Sequence, residues 1–416
     1  MNTVRRSSWP LTTCATLLVC GASVPLVASG GAGGAQAAQA APPEPDQRDL
    51  GDVVARLLGR DDDSEPGDAD NDVGETRFVV FPTVGGNPAI GLAVGALASL
   101  TNYWGDPAAT KLSSMLVSAA FTTQSQVLVA ARSDLYTPDD GWHLVGDWRY
   151  YKFTERTYGL GSGRPRAPVA DVEYDWYRLY ETVYRPVWGA LEIGVGYHLD
   201  IHTDIALSDE QRDEIPLESD ATSATSTTSS GISLNVVYDQ RDHPLNPERG
   251  LFGRARYTFH RTALGSDSNW ERLKVEGRAY QRLPGARRQV LAAWALGWFT
   301  RSGDAPYFDL PSVGWDTYGR TARGYAAGRF RGRDWIYGEL EYRADLTRSG
   351  LLGMVAFVNS SWFSDFETTG LQQWAPAGGT GLRIKLDKDR RSNIAIDIAW
   401  GREGSKGIYL AINEAF

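Results

Sequence analysis

Only two cysteines occur among 416 residues, Cys14 and Cys20, and both fall within the first forty. The rest of the chain therefore has no disulfides, no thiol nucleophile and no cysteine metal site. Long apolar runs are equally scarce. Leu11 to Val27 comes nearest, but Thr12, Thr13, Ser23 and Pro25 interrupt it, and it is barely long enough to span a bilayer as a helix. Arg5 and Arg6 precede it, and the small-x-small sites Ala35-Gln36-Ala37 and Ala38-Gln39-Ala40 follow. Residues 1–40 thus read as a secretory signal peptide rather than a membrane anchor. Acylation at Cys20 is disfavoured because Val19 stands where such sites want a small residue.

From about Thr76 to Phe416 the chain is built of segments of roughly ten residues in which apolar and polar residues alternate, the pattern of a transmembrane β-strand. In hydrocarbon every backbone N–H and C=O must pair within the protein, so repeated amphipathic strands imply a barrel rather than a helical bundle. Sixteen strands are expected, at 76–85, 89–103, 110–122, 125–136, 141–152, 171–186, 189–204, 229–241, 250–261, 269–282, 288–301, 334–346, 351–362, 376–387, 391–401 and 406–416. Ile336, Gly338, Leu340, Tyr342 and Ala344 alternate with Glu339, Glu341, Arg343 and Asp345, so one face suits lipid and the other is charged. Ile394, Ile396, Ile398 and Trp400 alternate in the same way with Asn393 and Asp397. Tryptophans and tyrosines near strand ends, among them Tyr103, Trp104, Trp142, Trp188, Trp362 and Trp400, fit interfacial girdles. The expected fold is all-β, a 16-stranded antiparallel transmembrane β-barrel over 76–416. A soluble sandwich is the competing fold.

Charge is unevenly placed. Residues 41–75 hold twelve acids against Arg48, Arg56 and Arg60, with proline, glycine and few aromatics, and read as an acidic disordered linker. Asp68, Asp70 and Asp72 have calcium-loop spacing, but Val73 and Val79 replace the glycine and glutamate such a loop needs. No cofactor or metal is expected. His198, Asp200, His202 and Asp204 share a strand face that could hold a divalent ion, although a polar inward stripe explains them equally well. Ser162 lacks Gly-x-Ser-x-Gly spacing, so no enzyme is expected, and nothing points to nucleic acid.

Two connections are long. Asp204 to Gly231 is rich in Ser, Thr and Asp, whereas Ser302 to Arg333 concentrates glycine, aromatics and arginines, including Tyr318-Gly319-Arg320-Thr321-Ala322-Arg323-Gly324-Tyr325. Loops of that length are usually functional or disordered, and arginine with tyrosine does not suit disorder. The loop between strands 11 and 12 is expected to fold inward onto the acid-lined wall.

Arg323-Gly324-Tyr325 in that position resembles the signature loop of the BamA/TamA-type outer-membrane assembly and transport barrels. Asp239-Gln240-Arg241-Asp242-His243-Pro244-Leu245-Asn246-Pro247-Glu248-Arg249-Gly250 is similar to that family's hairpin, and Glu341-Tyr342-Arg343, Tyr158-Gly159-Leu160-Gly161 and Asn413-Glu414-Ala415-Phe416 also match. The resemblance implies that Arg323 pins the loop against Glu341. The family's second partner, an aspartate, is Asn359 here, which implies a pin weaker by about 1–3 kcal/mol if buried. The competing reading makes Arg323 one of several loop arginines that merely offset inward acids. Asp239, Arg241, Asp242, Pro244, Pro247 and Gly250 are expected to fix a turn, with Arg249 cross-pairing around it. Phe416 is expected to be a sorting signal, or else the last interfacial aromatic.

The resemblance further implies movement of polypeptide into or across the bacterial outer membrane through a weak seam between first and last strands. Pro82 and Gly85-Gly86 in the first strand are compatible with such a seam. Outer-membrane lipid, the assembly machinery and an unidentified polypeptide client are the implied partners, with edges free for homodimer contacts. The family's periplasmic POTRA domains find no counterpart in 41–75, so client capture by them is not expected. A passive porin-like channel and a non-transporting surface-antigen barrel are the alternatives.

Overall fold

The computed structural model describes residues 47–49, 52, 76–87, 91–158, 170–207, 225–285, 287–316, 319–364, 371–388 and 391–416. The signal peptide, the calcium-like spacing, Ser162 and nearly all of the acidic linker lie outside them.

Sixteen strands form one antiparallel sheet in strictly sequential order. They are β1 (Arg77–Asn87), β2 (Gly91–Asn102), β3 (Ser113–Thr122), β4 (Val127–Tyr136), β5 (His143–Thr157), β6 (Ala170–Trp188), β7 (Leu191–Leu207) and β8 (Thr227–Asp239). The second half comprises β9 (Gly250–His260), β10 (Trp270–Arg282), β11 (Gln289–Ser302), β12 (Asp334–Asp345), β13 (Leu352–Ser364), β14 (Leu371–Asp387), β15 (Ser392–Gly401) and β16 (Lys406–Ile412). The largest departures from the expected bounds have local causes. β5 runs to Thr157 because residues 153–157 continue the ladder with β6, and β14 starts at Leu371 because Gln373 and Trp374 pair with Phe363 and Trp362. β16 stops at Ile412 instead of Phe416, because Asn413 adopts a left-handed conformation (φ 69°) that ends the ladder.

Period-two alternation decides which way each residue faces. In β12, Trp335, Tyr337, Glu339, Glu341 and Arg343 are buried while Leu340 is half exposed. Val195, Leu234, Val358 and Leu382 are likewise exposed. The sheet thus buries its charges and exposes its aliphatics, the inverse of a water-soluble sandwich. Trp104, Trp142, Trp188 and Trp400 are exposed at or near strand ends, as a girdle requires. No helix among the described residues is long and apolar enough to cross a membrane.

Among the described residues, no pairing joins β1 to β16; β1 pairs with β2 and β16 with β15. β1 carries Pro82 opposite Ala96 in its ladder to β2.

Candidate functional site

The β11–β12 connection, residues 303–333, packs on the buried face of β5–β8 and of β12–β16. Arg323 bonds three carboxylates of the sheet. One guanidinium nitrogen donates to Asp397 Oδ2 on β15 at 2.6 Å and the other to both Glu339 and Glu341 on β12. The guanidinium carbon lies over the Phe357 ring of β13, 3.6 Å from its centre. A cation this deep is tolerable only because it is matched by carboxylates and hydrogen bonds. Beside it, Arg383 bridges Asp397 at 2.5 Å and Glu414 at 2.8 Å, and Arg343 bonds Glu341 at 2.8 Å.

The remainder of the triplet is held through its backbone. Gly324 sits at φ 114°, where a Cβ would lie 2.7 Å from Ala377 Cβ, so the chain approaches the sheet as only glycine allows. Its N–H donates to the Tyr409 hydroxyl at 2.7 Å, and its carbonyl accepts from Ser405 Oγ at 2.6 Å. The Tyr325 hydroxyl donates to the Pro376 carbonyl at 2.6 Å. The structure therefore brings Arg323, Glu341 and Asn359 together, with a different division of labour than the sequence suggests. Asn359 leaves the guanidinium alone and donates Nδ2–H to the Arg323 carbonyl at 3.0 Å. The extra negative charges come from Glu339 and Asp397. Both stand in the alternating polar rows of the sequence, but only the register of β12 and β15 shows that they converge on one arginine.

A second anchor lies on the opposite side of the loop. Arg331 donates to Glu155 on β5 at 2.5 Å and to the Tyr307 carbonyl at 2.8 Å, and the Tyr174 hydroxyl donates to the same Glu155 at 2.9 Å. Within the loop turn Tyr307–Asp309, Phe308 packs on Tyr174 and His202, and Asp309 accepts from Ser229 Oγ of β8 at 2.6 Å. Burial, reinforced by the nearby Asp200 carboxylate, pushes the Asp309 carboxyl up to about 7. Arg320 ties the loop to the last strand, donating to the Ile412 carbonyl at 2.8 Å and to the Glu414 carbonyl.

Asn413 to Phe416 turn onto the same face. Phe416 is 5% exposed, its ring tilted against those of Trp294 and Tyr280, with its carbonyl accepting from Arg343 at 2.9 Å. It is therefore not an interfacial aromatic in the folded protein. The surrounding arginines hold the Glu414 carboxyl well below the usual range against the opposing effect of burial.

The β8–β9 hairpin, 240–249, is a turn braced by its own side chains and tied to neighbouring strands. Asp239 accepts from Arg241 Nε at 2.9 Å and Nη2 at 2.6 Å, and Arg241 also reaches the Pro244 carbonyl at 3.2 Å. Asp242 accepts the backbone N–H groups of Glu248 and Arg249 at 2.8 and 3.0 Å and pairs with Arg391 at 3.1 Å. The expected cross-pairing of the Arg249 side chain is thus replaced by its backbone. Glu248, which sequence reasoning passed over, ties the hairpin to Arg282 and Arg288, each at 2.7 Å. Gly250 closes the turn at φ 106°.

The histidine-rich face of β7 does not assemble a metal centre. Asp200 spends its oxygens on Arg178, Trp176 and Tyr180, while His198 and His202 stack on Tyr180 and Trp176. Asp204 leaves the row because a bulge near Asp175 and Thr203, with φ 53° at Asp204, turns it outward. Among the described residues no group of three His, Cys, Asp or Glu side chains is placed to hold a metal.

The model of the family described as "Omp85 superfamily domain" matches residues 128–416. Among solved structures, BamA from Haemophilus ducreyi lacking POTRA domains 1–3 is similar at 15% identity and a TM-score of 0.50, over 82% of this chain and 69% of that one. CdiB from Acinetobacter baumannii is similar at 13% identity and 0.50, over 79% and 56%. CdiB from Escherichia coli is similar at 12% identity and 0.50, over 81% and 62%. The chain thus spans less than two thirds of either CdiB. At these identities the likeness is one of fold. No curated protein matches the chain.

Proposed function

The chain belongs to the Omp85 superfamily and is a β-barrel protein of the bacterial outer membrane, and from that premise we propose that it aids insertion or translocation of polypeptide at that membrane. The sheet closes into a barrel with its charged face inward, and the 303–333 loop folds into the lumen. The observation that carries this reading is the double anchoring of that loop. Arg323 bonds β12 and β15, while Arg331 and Asp309 bond β5 and β8, so the loop bridges two widely separated parts of the wall. A simple diffusion channel gains nothing from a bridge of buried ion pairs across its bore. A protein whose working surface is its seam does gain, because the bridge keeps the wall rigid while β1 and β16 stay weakly joined. The seven-residue β16 and the absence of β1–β16 pairing among the described residues support such a seam.

In this reading Arg323, Gly324, Tyr325, Glu341 and Asn359 are positioning residues, and no enzyme chemistry is assigned. Lipid contacts the exposed aliphatic face, an unfolded polypeptide is the client, and a second copy can pair along the seam edges. The experiment follows the rate at which an unfolded small barrel inserts into liposomes carrying the protein, its Arg323→Ala variant, or no protein. Acceleration by the wild type that is lost in the variant is the expected result. A wild-type rate equal to that of empty liposomes would refute the reading.

A further inference from the structure

The inner face also holds cations that, among the described residues, no carboxylate meets at ion-pair distance. The β9–β10 register sets Lys274 directly opposite Arg256 and Arg254 opposite Glu276, all on the buried side. Like charges facing each other across a ladder destabilise it. Neighbouring cations are matched, since Arg278 takes Glu276 at 2.5 Å and Arg241 takes Asp239 at 2.6 Å. Lys274, Arg254 and Arg256 have no carboxylate partner among the described residues. Lys274 Nζ sits 4.7 Å from the centre of the Trp298 ring, the buried Arg254 Nε has no hydrogen-bond partner, and Arg256 Nε donates to the neutral Asn235 at 2.9 Å.

Lys274 and Arg254 border a cavity of about 450 Å³ whose lining extends to the turn residues Gly141, Gly189 and Pro244. The acids nearest them are already committed. Glu276 serves Arg278 and the Trp294 indole N–H at 3.1 Å. Asp316 accepts two loop N–H groups, from Arg320 and Thr321, and the Thr321 hydroxyl.

We infer that this wall is a binding site for a phosphate-class oxyanion, held between Lys274 and Arg254. A multivalent oxyanion offers these half-buried cations the acceptors their donors lack, in charge-assisted hydrogen bonds. Arginine suits it by its planar fork and lysine as a point charge. Because the cavity opens at the strand ends on the inner face while lipid meets the outer one, the ligand comes from the aqueous phase rather than from a lipid headgroup.

The test is equilibrium dialysis of inorganic pyrophosphate against the full chain refolded in zwitterionic micelles, at fixed ionic strength in chloride. Saturable, stoichiometric uptake is expected. Lys274→Met and Arg254→Met each weaken it by about tenfold or more, the scale of one charged hydrogen bond, while Lys274→Arg retains it. Heat-modifiable electrophoretic mobility verifies that each variant folds, and Lys274→Gln with Arg254→Gln replaces any methionine variant that does not. Absence of saturable uptake, uptake unchanged in the double variant, or competition by phosphatidylglycerol added to the micelles would each overturn the site.

Discussion

Arg323 bonds three carboxylates at once, and truncating it leaves buried Glu339 with only the Tyr337 hydroxyl while Glu341 and Asp397 fall back on Arg343 and Arg383. Breaking one side of such a cluster typically costs about 3–5 kcal/mol, so Arg323→Ala should lower the urea midpoint of the folded barrel accordingly. Glu339→Gln should cost less, because two carboxylates remain for the guanidinium. Asp309 gives the loop a pH dependence of definite sign. Its folded value of about 7 lies above the ordinary 3.8, so the stability it contributes is fully present below about 3.8 and is lost as pH rises through about 7. The carboxyl is faced by Asp200, Arg272, Arg178 and Ser229. Limited proteolysis within 303–333 should therefore accelerate between pH 5 and pH 8, and Asp309→Asn should flatten that profile. The charged rows were legible in the sequence, and so was Arg323 as the residue to watch. Its full partner set was not, because convergence of Glu339 and Asp397 depends on strand register across three ladders rather than on spacing along one.

At the scale of elements, turn chemistry sets the geometry. A Cβ on Gly250 would fall 2.1 Å from the Gln240 carbonyl oxygen, in a backbone region side chains avoid. Gly250→Ala should destabilise by about 1–3 kcal/mol, read as a shifted urea midpoint. β16 makes a seven-residue ladder with β15 and is further held by Arg320 on its last carbonyls. Arg320→Ala should raise amide hydrogen exchange across 406–412 with little change in β12 or β13. Strand number and order followed from alternation and turn residues, since each segment carries its own period-two signal. What alternation could not reveal was its own interruption. The bulge that expels Asp204 and the left-handed Asn413 that ends β16 are single-residue backbone choices with no periodic trace. Arg331 stood in a conspicuous arginine cluster, yet its partner Glu155 is 176 residues away, and no local pattern joins them.

The whole molecule turns the usual distribution of polarity inside out, which can be tested without reference to any activity. An arginine at Leu340 or Val358, both exposed on the aliphatic face, should cost about 2–4 kcal/mol in a bilayer if it lies near the midplane. The same substitutions should cost far less in short-chain detergent. The burial of Phe416 carries a different consequence, one of timing. In the finished protein its ring lies against Trp294 and its carbonyl against Arg343. Whatever reads Phe416 must do so while the chain is unfinished, and completing the fold withdraws the residue from view. If Phe416 is the sorting signal expected from the sequence, recognition and completion are mutually exclusive, and a folded chain does not compete with newcomers for whatever reads that residue.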